Sequence, residues 1–554
     1  MSPQSVKDWF RQHVRLDSQP YTLDLEQAQA VQDFHKNTLV TARAGSGKTR
    51  VIVAKVVYLV AKHALKLNQI KIFVFNRSAA AEVNQRLENV LIDNCPLSRS
   101  DQPIKVASTF HKFALDLVKL TDQQPKIIDE SAQSHLINQL IKQELDKQQL
   151  QLTTAARVEL TQLVTNFITR AGQKFPGKTG FIQLHQRLNQ YYHQYQQHPA
   201  YQTQIKLHRI CHTIYQQYLK ALPPLLDFNL LMNEAATLLK QQSPQIVNKV
   251  TDYQYILVDE YQDFSYLFFN LIKQLRCNCP SSHLFVVGDD WQAINRFAGS
   301  DCDYFLNFAN YFPEDNCQIR LATNYRSDKR IVENANIFML DHSQTYGKTS
   351  PTPQTARVQA FSRKKGRIKY LNPQKIRFDT HDIEEDALGD GRYEVIVRQY
   401  LANQNRPHQH IEPELLKLLK TLCKIIKHHR YNQQILLLHR HNFTSYSQLS
   451  LTDFQQILQL ILANQHIMTA DRYTNQVRIM TMHKSKGLES DVVILLEMNH
   501  EQVLSSHPHA NTFELFDDNP ANERADQERL LYVALTRAKH YLYVLSNDAF
   551  PPTK

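Results

Sequence analysis

The stretch NTLVTARAGSGKTR, residues 37–50, decides the fold. A short run of strand character enters a turn containing Gly45 and Gly47, and a longer helical pattern follows. The two glycines let backbone N–H groups turn toward an anion at a helix N-terminus, where unpaired donors and the dipole favour phosphate. Lys48 is then placed to reach the β- and γ-phosphates of a nucleotide, and Thr49 to hold Mg²⁺. Ala42 stands where the general pattern has its first glycine. A second Gly-Lys-Thr, at 177–179, follows Phe175-Pro176 with no strand before it and reads as a surface turn.

Outward from this loop, apolar runs of strand length alternate with helical patterns, the mark of α/β units with parallel sheets. IKIFVF (70–75), QYILVDE (254–260) and HLFVVGD (283–289) belong to the first half. ILLLHR (435–440), VRIMTM (477–482), DVVILLE (491–497) and YLYVLS (541–546) belong to the second. Between about 111 and 226 the chain turns to long segments rich in Gln, Leu and Lys without strand signals. The expected organisation is a first lobe of 1–110 and 225–320, interrupted by a helical insertion at 111–224. A second lobe of 321–361 and 414–554 follows, interrupted by a small polar insertion at 362–413, where SRKKGRIKY precedes the acidic HDIEEDALGDG.

Chemistry gathers where strands end. YILVDEYQDFS (255–265) places Asp259 and Glu260 at the carboxyl edge of a strand, where open α/β sheets bind ligands. One carboxylate can hold Mg²⁺ while its neighbour orients or deprotonates water, a division suited to phosphoanhydride hydrolysis. VVGDDWQAINRFAGSD (286–301) brings Asp289, Asp290 and Gln292 to a further strand end as sensors of a terminal phosphate, and Phe297 offers a face for a nucleobase. Only 12 glycines occur in 554 residues. Average usage is about 7%, yet Gly45, Gly47, Gly288, Gly299 and Gly487 all fall in these segments or in the one at 479–491.

Composition narrows the class. At 554 residues the chain needs several cores. A 42% hydrophobic and 21% charged content excludes intrinsic disorder, and a net charge of +11 suits a polyanionic partner. Seven cysteines without a CxxC point to a reducing compartment rather than a disulfide framework or zinc ribbon. His408/His410, His439/His441 and His507/His509 lack partners at zinc-ligand spacing, and no GxSxG elbow occurs. With no secretory h-region and no span of membrane length, a cytoplasmic protein with no membrane partner is expected.

Taken in order, these segments resemble superfamily 1 DNA helicases of the UvrD/Rep family. LEQAQAV (25–31) is similar to the family's adenine-reading motif, through Gln27. FNRSAAAEV (75–83) and STFHKFAL (108–115) resemble its grips on single-stranded DNA, implying roles for Phe75, Asn76, Arg77, Thr109, Phe110 and His111, while LLDFNLL (225–231) resembles the return into the first lobe. TNYRSDKR (323–330) implies that Tyr325 stacks on adenine and Arg326 meets the γ-phosphate. IMTMHKSKGLESD (479–491) implies DNA contact through Thr481 and His483, and nucleotide contact through Glu489. ERLLYVALTRAKH (528–540) supplies Arg537 as the second γ-phosphate arginine. The resemblance also assigns the phosphate loop Ala44, Gly45, Ser46, Gly47, Lys48, Thr49 and Arg50 to ATP, with Thr49 and Asp259 on Mg²⁺ and Phe297 on DNA. Lys48, Glu260, Gln292, Arg326 and Arg537 form the implied catalytic set.

The implied fold is α/β: two RecA-like P-loop lobes with parallel sheets, a helical insertion in the first and a reduced or absent accessory domain in the second. Only about 35 residues separate LLLHRHN (436–442) from VRIMTM, where the family carries that large domain. Arg43 replaces a usual glycine, Phe297-Ala298 a usual Trp-Arg, and Ser490 a frequent phenylalanine. The implied function is an ATP- and Mg²⁺-dependent translocase or helicase on single-stranded or tailed duplex DNA, moving 3′ to 5′, in repair, recombination or defence. The alternative is an ATP-gated DNA clamp or sensor that activates or recruits a partner nuclease without processive unwinding. RNA as substrate is a third reading, since nothing here separately reads a 2′-hydroxyl.

Overall fold

The computed structural model describes residues 1–16, 18–94, 104–121, 125–342, 357–375, 391–429, 432–442, 444–446, 449–499, 510–517 and 520–547. His507/His509 and nearly all of the acidic run at 381–391 lie outside them. The chain is α/β and divides into two compact units: residues 1–43, 47–321 and 507–523, and residues 44–46, 322–506 and 524–554.

The first unit is built on six parallel strands: β1 (Asn37–Ala42), β2 (Ile70–Val74), β3 (Ala107–Thr109), β4 (Tyr255–Val258), β5 (His283–Gly288) and β6 (Asn316–Leu321). Their order across the sheet is β6-β1-β5-β4-β2-β3. Strands β2 and β4 are buried along their whole length, as continuous Val/Ile/Leu runs require when both faces are covered. Helix α1 (Leu25–Gln32) starts in a capping box on Asp24, and α2 (Lys48–His63) starts directly after the phosphate loop.

Four helices, α3 (Glu130–Lys147), α4 (Thr154–Lys174), α5 (Gly177–Tyr195) and α6 (Gln202–Ala221), enclose an apolar core of their own. Entry and exit are tied by a short parallel pairing of Lys126–Ile127 with Leu225–Leu226, after which α7 (Phe228–Gln241) returns to the sheet. The helix Phe110–Val118 packs with that sheet, not with the helical core. A distant segment completes the helical core: Phe513, Leu515 and Phe516 are buried in it. Phe516 meets Phe167 edge-on at 5.3 Å, Arg170 covers Phe513 at 4.3 Å, and Lys174 and Arg187 both pair with Asp517. The sequence expectation put this segment with the second lobe.

The second unit holds five parallel strands: β7 (Arg367–Leu371), β8 (Ile435–His439), β9 (Val477–Thr481), β10 (Ser490–Leu495) and β11 (Ala538–Leu545), in the order β7-β11-β10-β8-β9. Part of the expected polar insertion is thus an edge strand of the sheet, and the helix Gly391–Asn403 contributes Val397 and Leu401 to the core. β7 reads as polar because an edge strand leaves alternate residues in solvent. Between β8 and β9 the described chain holds helices Leu451–Asn464 and Ala470–Gln476.

Truncating Phe516 to alanine should open a cavity between α4 and the segment that caps it, with a local loss of about 3–5 kcal/mol. Hydrogen exchange of α4 and α6 should accelerate while β1 and β4 keep their protection. Unchanged exchange in α4 would contradict the packing role.

Candidate functional site

In a parallel sheet the carboxyl ends of the strands share one edge, and the loops there form the ligand face. In the first unit this edge gathers the phosphate loop after β1, the acidic pair after β4 and the sensor loop after β5.

Gly45 and Gly47 both adopt left-handed backbone, at φ +74° and +88°. Gly47 precedes the first residue of α2, and a Cβ there would lie 2.9 Å from Gln27 Nε2, so the buried Gln27 is packed against the loop. Lys48 opens α2, its Nζ 3.5 Å from Ala42 O. Thr49 follows in the same first turn, and Ser46 is buried. Arg50 bonds Thr22 O at 2.6 Å and lies 4.4 Å over the Tyr21 ring. The loop's tip, Ala44–Ser46, belongs to the second compact unit. There Asn324 Nδ2 donates to Ala44 O at 2.7 Å and Tyr325 N donates to Gly45 O at 2.8 Å.

Asp259 is buried at the end of β4, its carboxylate accepting Glu260 N at 2.8 Å. Burial, and then the adjacent Glu260 charge, push the Asp259 carboxyl well above its ordinary range, against the pull of Lys48. Glu260 itself holds a left-handed φ of +50°, a conformation that a non-glycine residue keeps only under constraint. Gln262 supplies that constraint. Its amide nitrogen donates to Glu260 Oε2 and its carbonyl accepts Asp289 N at 2.8 Å, joining the acidic pair to the sensor loop. Gly288 permits the approach, since a Cβ there would stand 2.6 Å from Gln262 Oε1. Gln292 is buried and donates from Nε2 to Asp289 Oδ2 at 2.6 Å. Sequence reasoning overlooked Gln262; its only signal is its place in the Asp-Glu-Tyr-Gln run.

The donor set fits a nucleotide with a hard divalent cation. Two left-handed glycines lead to a helix N-terminus, a threonine hydroxyl lies one residue inside it, and a buried carboxylate carries a raised proton affinity that a cation would relieve.

Beside this edge runs a groove of about 810 Å³ lined by Phe75, Asn76, Arg77, Thr109, His111 and Phe228 among others. Lys71, Lys105 and Lys112 add positive charge. Asn76 and Thr109 cap the helices that start there, accepting Ala79 N at 2.8 Å and Lys112 N at 3.1 Å, so two helix N-termini open onto one groove. Phe110 does not reach it: the ring is stacked in the core between Phe73 and Phe268, at 4.6 and 4.3 Å. Phe228, 53% exposed and 4.8 Å from His111, presents an aromatic face to the groove where the implied contact was Phe110. Phe297 is 49% exposed on a single helical turn.

In the second unit Tyr325 is 40% exposed, with Phe361 5.0 Å away and more open at 68%, a pair suited to stacking on a base. Phe361 had no signal in its neighbours. Arg326 Nε meets Glu489 at 2.7 Å, and Lys539 Nζ meets the same carboxylate at 2.8 Å. Burial would raise the Glu489 carboxyl, but the Lys539 hydrogen bond and the Arg326 and Lys539 charges hold it below the usual range. Arg537 is 1% exposed, its guanidinium bonded to Val533 O at 2.8 Å and Leu488 O at 3.1 Å. Thr481 ends β9, and burial lowers the nearby His483 to about 4.

A left-handed glycine loop before a helix, an acidic pair and a buried glutamine at one edge of a parallel sheet are the features of a P-loop nucleotide-binding fold. Comparison with known proteins then specifies the class: residues 23–313 match the UvrD/REP helicase N-terminal domain, and residues 392–549 the UvrD-like helicase C-terminal domain. The chain belongs to the UvrD/Rep family of DNA helicases, whose two lobes are RecA-like. It is 26% identical to DNA helicase IV of Escherichia coli K12 over 98% of its own length and 70% of that protein's. It is 28% identical to the ATP-dependent DNA helicase Rep of the same organism, over 58% of its length and 44% of Rep. With the ATP-dependent DNA helicase PcrA of Staphylococcus aureus it shares 23% identity over 73% of its length and 49% of PcrA. It thus spans less than half of the Rep and PcrA chains in these matches. Among the described residues no helix is long and apolar enough to cross a membrane.

Lys48→Ala or Glu260→Gln should lower DNA-stimulated ATP hydrolysis roughly 100- to 1,000-fold while single-stranded DNA binding persists. Steady-state phosphate release and fluorescence anisotropy check the two halves, and normal turnover in either variant would remove that residue from the site. Burial brings His111 down to about 4, so the ring stays neutral in the groove between pH 5.5 and 8. His111→Phe should therefore leave the pH profile of DNA affinity unchanged over that range; a loss of affinity gained on acidification would show that His111 takes up a proton.

Proposed function

We propose that the chain is an ATP- and Mg²⁺-dependent motor on single-stranded or tailed duplex DNA, moving 3′ to 5′ and serving DNA repair, recombination or defence. The observation that carries the reading is the Gln262 bridge, which joins the acidic pair to the sensor loop on the edge that also bears Lys48. In this reading Lys48, Thr49 and Asp259 hold the nucleotide and its cation, and Glu260 orients or deprotonates water. The cation, when bound, neutralises charge developing on the phosphates. Gln292 senses the terminal phosphate, Gln27 reads adenine, and Tyr325 with Phe361 stacks on it. Arg326 and Arg537 are the proposed γ-phosphate contacts, and each must exchange its present partners, Glu489 or backbone carbonyls, to act so. Phe75, His111, Phe228 and Phe297 offer rings to bases, with Asn76, Arg77 and Thr109 toward the backbone, and Thr481 and His483 complete the proposed DNA contacts.

A second reading, an ATP-gated clamp that engages a partner nuclease, is favoured by the short connection between β8 and β9, with its two helices. Strand displacement on 3′-tailed and 5′-tailed duplexes separates the two. The motor should release strand from the 3′-tailed substrate only with ATP. ATP turnover on both substrates without release would favour the clamp, and preference for the 5′ tail would reverse the polarity.

A further inference from the structure

Position 43, where the family usually has glycine, carries a side chain with a defined place. Arg43 is 2% exposed and reaches from the end of β1 to the loop after β5. Its Nη1 donates to Asp289 Oδ1 at 2.7 Å and to Asp290 Oδ1 at 2.5 Å, and its Cζ lies 3.9 Å from the Trp291 ring centroid. Both aspartates are buried, at 0% and 2% exposure. The half-buried Arg320 of β6 feels the Arg43 and Asp290 charges, so this cluster sets two acids against two guanidinium groups. Asp289 Oδ1 also accepts Trp291 N at 3.2 Å, while Oδ2 takes the Gln292 amide at 2.6 Å.

Two buried carboxylates persist only beside compensating charge. Arginine suits the task here because Nη1 meets both acids while the flat guanidinium lies over the indole; a lysine ammonium is a point charge without that face. The chain of contacts runs from residue 43, one position before the loop's tip, through Asp289 to the Gln292 amide.

We propose that Arg43 is a positioning residue that locks the Gln292 sensor to the phosphate-binding loop, so that the sensor's orientation follows the state of the loop. The inference rests on the nucleotide-hydrolase reading of the site and deepens it: the coupling is made by a buried ion cluster inside the first unit. Arg43 itself need not touch nucleotide.

The test uses the full chain in a Trp9→Phe background, which leaves Trp291 as the remaining tryptophan of the two. Arg43→Lys keeps the charge and loses the planar face that lies over Trp291; Arg43→Met removes both and, should it fail to fold, Arg43→Lys carries the test. With saturating single-stranded DNA, kcat for ATP hydrolysis should fall roughly 10- to 100-fold, as expected for about 1 Å of misplacement. The KM for ATP should change far less. Gln292→Ala added to Arg43→Lys should cost little more, because the pair acts as a unit. Titration with a non-hydrolysable ATP analogue should shift Trp291 emission in the parent and not in Arg43→Lys, at concentrations where a fluorescent nucleotide still binds both. A lowered melting temperature with normal kcat, additive Gln292 and Arg43 effects, or an emission shift that survives in Arg43→Lys would each overturn the proposal. Lys48→Ala in the same background tells the two failures apart: if it hydrolyses ATP normally, the site reading itself falls, whereas an inactive Lys48→Ala beside a normal Arg43→Lys sinks the Arg43 proposal alone.

Discussion

Negative charge held at the edge of a buried sheet is the constraint on which the first unit is built. Asp259, Glu260, Asp289 and Asp290 follow two adjacent strands, and three of the four are buried. Carboxylates in such a place need cations or donors, and the strand order supplies them: β1, beside β5, delivers Arg43 and Lys48. Arg43 answers Asp289 and Asp290, while Lys48 acts on Asp259 and is outweighed there by burial and by Glu260. The pull of Lys48 does not offset burial and the Glu260 charge at Asp259, and the proposed reading sets a divalent cation there.

Backbone conformation serves the same arrangement. A left-handed Glu260 costs on the order of 1 kcal/mol or more, and Gln262 holds it by bonding its side chain. That contact is possible because residue 288 has no Cβ. In a chain with so few glycines, those at 45, 47 and 288 stand where a side chain would break either a turn or a contact.

The eight apolar runs read as strands are strands, and those inside the sheets, covered on both faces, carry the strongest apolar signal. The strands that escaped notice, β3, β6 and β7, are short or lie at sheet edges, where burial is incomplete and the pattern weakens. Lys48, Asp259 and Gln292 were singled out as candidates because the pattern around each is local in sequence. Gln262, Phe228, Phe361 and the Arg43 cluster were not: each draws its meaning from a neighbour far along the chain, and periodicity carries no such information. Phe110 is the reverse case: a motif position whose ring is packed in the core, while the exposed ring beside His111 is that of Phe228 on another helix.

The segment bearing Phe513, Leu515 and Phe516 makes the first unit dependent on residues encoded almost 200 positions after its last strand. During synthesis the helical bundle must wait with an apolar slot open until that late piece emerges. A gene fragment ending near residue 321 would therefore yield a bundle with exposed hydrophobic surface, prone to aggregate, and the missing peptide supplied separately would be its natural complement.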